Sequence, residues 1–166
     1  TGPAEVAPPL GAEVIRVETA AEMLEAVDAA LPVDAAIFAA AVADWRVASA
    51  AQSKIKKTGK GDLPDLKLTE NRDILAKVSR AAKGRPHLVV GFAAETDDVV
   101  ENAQRKLEKK GCDWIVANDV SPESGVMGGS ENAVTLISSD GVDVWPRMGK
   151  DEVAAKLAAR IAEALS

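Results

Sequence analysis

Phe38–Lys57 reads FAAAVADWRVASAAQSKIKK. The apolar run it belongs to begins at Ala35 and lasts to Ala43, with no polar residue to mark a solvent face. Such a run predicts a strand covered on both sides, as in a parallel sheet packed between helices. Its carboxyl end then delivers Asp44, Trp45 and Arg46 to the edge where open α/β sheets bind ligands. Beyond them Lys54, Lys56, Lys57 and Lys60 fall within seven residues that hold no acid, in a chain of net charge -6. A lysine loop beside the ligand edge suits an anion, phosphate foremost. The plainer alternatives are a solvated basic surface, a turn-capping Asp44 and a core Trp45.

Composition narrows the field. A chain of 166 residues is one domain's worth, large enough to bury its own core. Its acidic balance argues against duplex nucleic acid as a main partner. Aromatic residues make up 3% of the chain, too few for base-stacking platforms. Cys112 is the only cysteine, which excludes an intrachain disulfide and a multi-cysteine metal site. Its place before an apolar strand predicts a buried structural thiol. His87 is the only histidine, so neither a two-histidine metal site nor a serine–histidine–aspartate triad is expected. No apolar stretch approaches the ~20 residues of a membrane span, and a cytoplasmic protein is the expectation.

In chain order, Glu13–Val17 alternates weakly and predicts a strand. Thr19 and Glu22 form a capping box ahead of Met23, Leu24, Val27 and Leu31 at helical spacing. After the central strand and its lysine loop, Leu66–Leu68 predicts a short strand. Asn71 is the expected cap of a helix carrying Ile74, Leu75 and Val78. His87–Phe92 predicts a second buried strand, and Thr96 or Asp97 opens a helix closed by Gly111. On that helix Lys106 and Lys110 are four apart and share a face, which by itself predicts only a solvated basic surface. Asp113–Ala117 is a third apolar strand leading to Asn118-Asp119, and Ser121–Glu131 is a loop. Ser138-Ser139-Asp140-Gly141 lies between two short strands as a hairpin signal. Val153, Leu157, Ile161 and Leu165 pack a final helix. Strands alternating with helices, then a hairpin and a helix, predict an α/β fold. Its mostly parallel sheet is flanked by helices and carries a C-terminal β-hairpin.

The ordered motifs AAVADWRV, KIKK, ENRDIL, GFAAET, K-x-x-x-K and ANDV resemble phosphopantothenoylcysteine synthetase, from about Glu13 to the C-terminus. The resemblance implies a Rossmann-like, CTP-dependent ligase domain spanning residues 1–166. That domain joins 4′-phosphopantothenate to cysteine through an acyl-cytidylate and releases CMP. It implies a catalytic role for Lys54, on a loop that closes over the nucleotide. It implies CTP contacts from Phe38, Ala39, Ala40, Asp44, Lys54, Asn71, Arg72, Asp73, Ile74, Phe92, Lys106 and Lys110. Ala40 and Ala41 are implied near the reacting carboxylate. Magnesium is expected to arrive with the triphosphate, with no metal-ligand set in the chain. A homodimer is implied, as is fusion to a flavin-dependent decarboxylase. Family members open this domain with a strand, a glycine-rich turn and a serine-glycine-lysine-methionine-glycine segment. Nothing before Glu13 matches that opening, so the domain is expected without its N-terminal βα unit.

Two other readings stand beside the ligase. One is a nucleotide-binding but inactive fragment. The other is a Rossmann-type oxidoreductase, which fits less well because the chain lacks G-x-G-x-x-G and any tyrosine.

Overall fold

The computed structural model describes residues 1–4, 7–49, 66–121 and 129–166. Its main sheet has five strands in the order β1-β4-β5-β7-β8. They are β1 (Ala35–Phe38), β4 (Leu88–Glu95), β5 (Trp114–Asp119), β7 (Val134–Ser138) and β8 (Gly141–Val144). β1, β4 and β5 run parallel, whereas β7 and β8 are antiparallel additions. The predicted mostly parallel sheet with a terminal hairpin is therefore the observed one. Two small ribbons accompany it: β2 (Trp45–Val47) with β3 (Leu68–Glu70), and β6 (Glu131–Asn132) with β9 (Met148–Gly149).

Helices cover both faces, which is why the parallel strands read as unbroken apolar runs. On one face α1 (Ala20–Ala30), α2 (Ile74–Ser79) and α3 (Val99–Lys110) bury Val78, Val89, Ala103, Ile115 and Ile137. On the other, α4 (Lys150–Ala164) sets Val153 and Leu157 against Leu88, Val90, Val116 and Leu136. Trp145 anchors this second core, its ring fully buried, its Nε1 donating to Asp143 at 2.8 Å and the Lys156 ammonium 4.4 Å from the ring centroid. At the amino edge Arg85 forms a two-pronged contact with Asp113 at 2.9 Å, and the Val89 amide donates to the same carboxylate at 2.7 Å. That link ties the start of β4 to the start of β5.

Several local expectations shift. Glu13–Val17 is not a strand. Among the described residues its backbone bonds only to Thr1, through Val17 N–H to Thr1 O at 3.0 Å and the Thr1 ammonium to Ile15 O at 2.6 Å, and two such bonds do not make a ladder. The central strand stops at Phe38 rather than Ala43: β4 runs on to Glu95, but the chain turns away from it after Phe38, with the Val42 N–H donating to Ala40 O at 3.0 Å. The short strand predicted at Leu66–Leu68 lies two residues later. Asp73, not Asn71, caps α2, accepting the Ala76 N–H at 2.9 Å, since Asn71 is occupied elsewhere. α3 starts after Asp98, a left-handed residue whose side chain makes no capping bond. The Thr19–Glu22 capping box forms as predicted.

Gly91 sits at the tightest point of the sheet, where a Cβ would lie 2.7 Å from Leu75 Cδ2 and 2.9 Å from Ile115 Cδ1. α2 can approach β4 closely only because that position has no side chain. We expect Gly91→Ala to cost about 1–3 kcal/mol in a urea titration. Wild-type stability in the variant would mean that Leu75 and Ile115 swing aside freely.

Candidate functional site

A cavity of about 990 Å³ opens at the carboxyl ends of β1 and β4. That is the upper end of the range for small-molecule sites. One wall is apolar, built from Ile15, Val17, Met23, Val27, Leu31 and Ile37. The lining is also polar and charged: Glu13, Asp44, Glu70, Asn71, Arg72, Asp73, Lys106, Lys109 and Lys110. Phe38, Ala39 and Ala40 leave β1 into it, and Ile74 and Phe92 also line it. Eleven positions expected at a nucleotide thus meet in one place: Phe38, Ala39, Ala40, Asp44, Asn71, Arg72, Asp73, Ile74, Phe92, Lys106 and Lys110. Ala41 is exposed and does not line the cavity. Lys54, with Lys56, Lys57 and Lys60, lies outside the described residues.

Local folding explains how the charged wall is assembled. After Phe38 the chain leaves the sheet and reaches Asp44, where two bonds donated by Asn71 and two donated by Arg46 fix the segment. The Asn71 amide N–H donates to Asp44 O at 2.8 Å, and its Nδ2 donates to Ala43 O at 2.8 Å. Arg46 donates to Asn71 Oδ1 at 3.1 Å and to Glu70 O at 2.7 Å. Asn71 therefore spends its side chain on holding two segments together. Asp73 follows at the start of α2, and its second oxygen accepts from the Lys110 ammonium. One turn earlier on α3, the Lys106 ammonium meets Glu95 Oε1, at the end of β4, at 2.6 Å.

Each of these two lysines is thus paired with a carboxylate. Desolvation works to raise the Asp73 carboxyl, but Lys110, the Ala76 amide and the charge of Lys109 outweigh it, and the group lies below its ordinary value. At the end of β5 the Asp119 carboxyl is also lowered, by the Ser121 hydroxyl and amide. Burial pushes the Cys112 thiol up to about 11, consistent with a packing residue rather than a nucleophile. Among the described residues no three carboxylate, histidine or cysteine side chains converge on a metal position. A divalent ion accompanying a triphosphate would be held by the phosphate oxygens.

The motif residues were legible in the sequence, but two features were not. The apolar wall comes from residues 13–17 and α1, which carry no ligand-like pattern. Glu95 was read as part of a motif without a role, because nothing in the sequence places it under Lys106.

The chain is an α/β domain of the open-sheet class, whose ligands bind at the carboxyl edge of the parallel strands, where its partly cationic cavity lies. More narrowly, the chain belongs to the family described as DNA/pantothenate metabolism flavoprotein C-terminal domain, whose model matches residues 1–165. It is 42% identical over 164 residues to the coenzyme A biosynthesis bifunctional protein CoaBC of Vibrio parahaemolyticus, covering 98% of this chain and 41% of that one. To the CoaBC of Escherichia coli K12 it is 40% identical over 153 residues, covering 91% and 37%. The crystal structure of the C-terminal domain of a CoaBC superposes with a TM-score of 0.74 at 35% identity, covering 96% of this chain and 69% of that one. The chain spans about two fifths of the length of the curated relatives it matches. No helix among the described residues is long and apolar enough to cross a membrane.

The lowered Asp73 carboxyl has a pH consequence. Its contribution is complete above the ordinary value of 3.8 and is lost as pH falls through the lower folded value. The stability difference between wild type and Asp73→Asn should stay constant down to about pH 4 and shrink only below it. A difference that vanishes by about pH 5 in acid-unfolding curves would contradict the pairing.

Proposed function

We propose that this domain is the phosphopantothenate–cysteine ligase of coenzyme A biosynthesis. A carboxylate is a poor acyl donor, so a nucleotide must supply the leaving group. The 4′-phosphopantothenate carboxylate oxygen attacks the α-phosphorus of CTP, the bond to the β-phosphate oxygen breaks, and pyrophosphate leaves. The cysteine amine then attacks the acyl carbon of the acyl-cytidylate, loses a proton and expels CMP. The protein's task is to neutralise the triphosphate and the charge developing on phosphorus. Lys106 and Lys110 do so from α3, and Lys54 from its loop. Phe38 to Ala40, Asp44, Arg72 to Ile74 and Phe92 shape the nucleotide site, and Ala40 adjoins the reacting carboxylate.

The observation that carries this reading is the meeting of Lys106, Lys110, Asp44 and Phe92 around one cavity at the carboxyl edge. Kinship with bifunctional CoaBC proteins supports it and supports a fused decarboxylase in the parent protein. Action as a homodimer is part of the proposal. Trp45, Val47, Leu66 and Leu68 are exposed at the β2–β3 ribbon, an apolar surface a second copy would cover. Use of CTP and free cysteine places the enzyme in the cytoplasm on this reading.

A thermal-shift comparison of CTP, ATP and NADH, each with magnesium, separates the readings. We expect selective stabilisation by CTP. A response to NADH alone would favour an oxidoreductase and overturn the proposal, and silence from all three would remove the nucleotide site altogether.

A further inference from the structure

We infer that Glu95 is a positioning residue that fixes the Lys106 ammonium for the anionic ligand of the cavity. The inference rests on the anion-binding reading of that cavity but assigns a residue outside its lining.

Glu95 differs from the surface acids of this chain. Its side chain is 12% exposed, and Oε1 is fully shielded from water. The Lys106 Nζ stands 2.6 Å from that oxygen without the angle of a directed hydrogen bond, and Oε1 has no hydrogen-bond partner. The pairing is thus ionic, and a shielded carboxylate oxygen with one cationic neighbour holds that neighbour firmly. By contrast Glu101 and Arg105, on the same helix, lie 3.8 Å apart with side chains 71% and 65% exposed, an arrangement worth little.

Glu95 is also anchored through its backbone. It is the last residue of β4 and pairs in register with Asp119 of β5. Its carbonyl accepts the Val120 N–H at 2.8 Å. The backbone that carries the carboxylate is therefore fixed at the sheet edge, and the paired lysine is held toward that edge. Lys106 lines the cavity, and its side chain remains 40% exposed, so the ammonium keeps donors for a ligand oxygen. The acid neighbours are Asp119, whose carboxylate is engaged by Ser121, and Asp73, which is engaged by Lys110. Neither replaces Glu95 as the partner of Lys106.

The test is a double-mutant cycle on the full chain with Glu95→Gln and Lys106→Ala, reading dissociation constants for CTP and for inorganic triphosphate by calorimetry. Each single change should weaken binding of both probes about tenfold, and the double variant should be no weaker than Lys106→Ala alone. A structural role for Glu95 would persist without Lys106, so effects that multiply to about a hundredfold would overturn the inference. Unchanged or tighter binding by Glu95→Gln would overturn it too, the latter by making the carboxylate a competitor of phosphate. If Glu95→Gln does not fold, Glu95→Asp carries the test, with weakened binding expected in the wild-type background and none further in Lys106→Ala. Triphosphate binding with the expected coupling, alongside no preference for CTP, would keep the role of Glu95 while removing the ligase reading. Failure of wild type to bind either probe would remove both.

Discussion

Parallel pairing brings the carboxyl ends of β1 and β4 to the same edge, and the chemistry of the domain depends on that. Ala35 to Phe38 pairs with Leu88 to Gly91, and Val90 to Glu95 with Trp114 to Asp119. The crossovers between these strands carry α2 and α3, which pack one face together with α1, and α4 returns after the hairpin to cover the other. The segments after β1 and β4 then converge from distant parts of the sequence. Asp44 and Phe92 are far apart in the chain and line the same cavity.

The electrostatics of the cavity follow from this placement. Lysines on α3 point back toward the end of β4 and the start of α2, and both places supply a carboxylate. The pairs are Lys106 with Glu95 and Lys110 with Asp73. Lys106 and Lys110 are both partly exposed, and each pair balances an ammonium with a carboxylate while leaving the ammonium open to the cavity. On the proposed reading, a polyphosphate would share ammonium groups already held in place, with little ordering cost at the moment of binding.

Much of this arrangement was readable from residues alone, for identifiable reasons. The unbroken apolar runs at Ala35 and Leu88 signalled strands covered on both faces, and the Thr19–Glu22 box marked its helix correctly. The spacing of Lys106 and Lys110 gave their shared face, though not their partners. Misreadings arose where tertiary contacts override local pattern. Ala39 to Ala43 is apolar enough for a strand but turns away from β4 toward the ribbon that Asn71 and Arg46 tie down. Asn71 is a good cap by type, yet its amide is taken by Ala43 and Arg46, and the task passes to Asp73. Glu13–Val17 alternates like a strand and lacks a ladder. Glu95 was invisible as a partner because its meaning lies in a contact with a residue eleven positions later, across a turn.

The most direct measurement is a CTP titration followed through the side-chain Nζ resonances of ¹⁵N-labelled lysines. If the cavity is the nucleotide site, Lys106 and Lys110 move together, saturably and with one dissociation constant, while surface Lys156 stays still. Resonances of Lys106 and Lys110 that do not respond to saturating CTP would contradict the account.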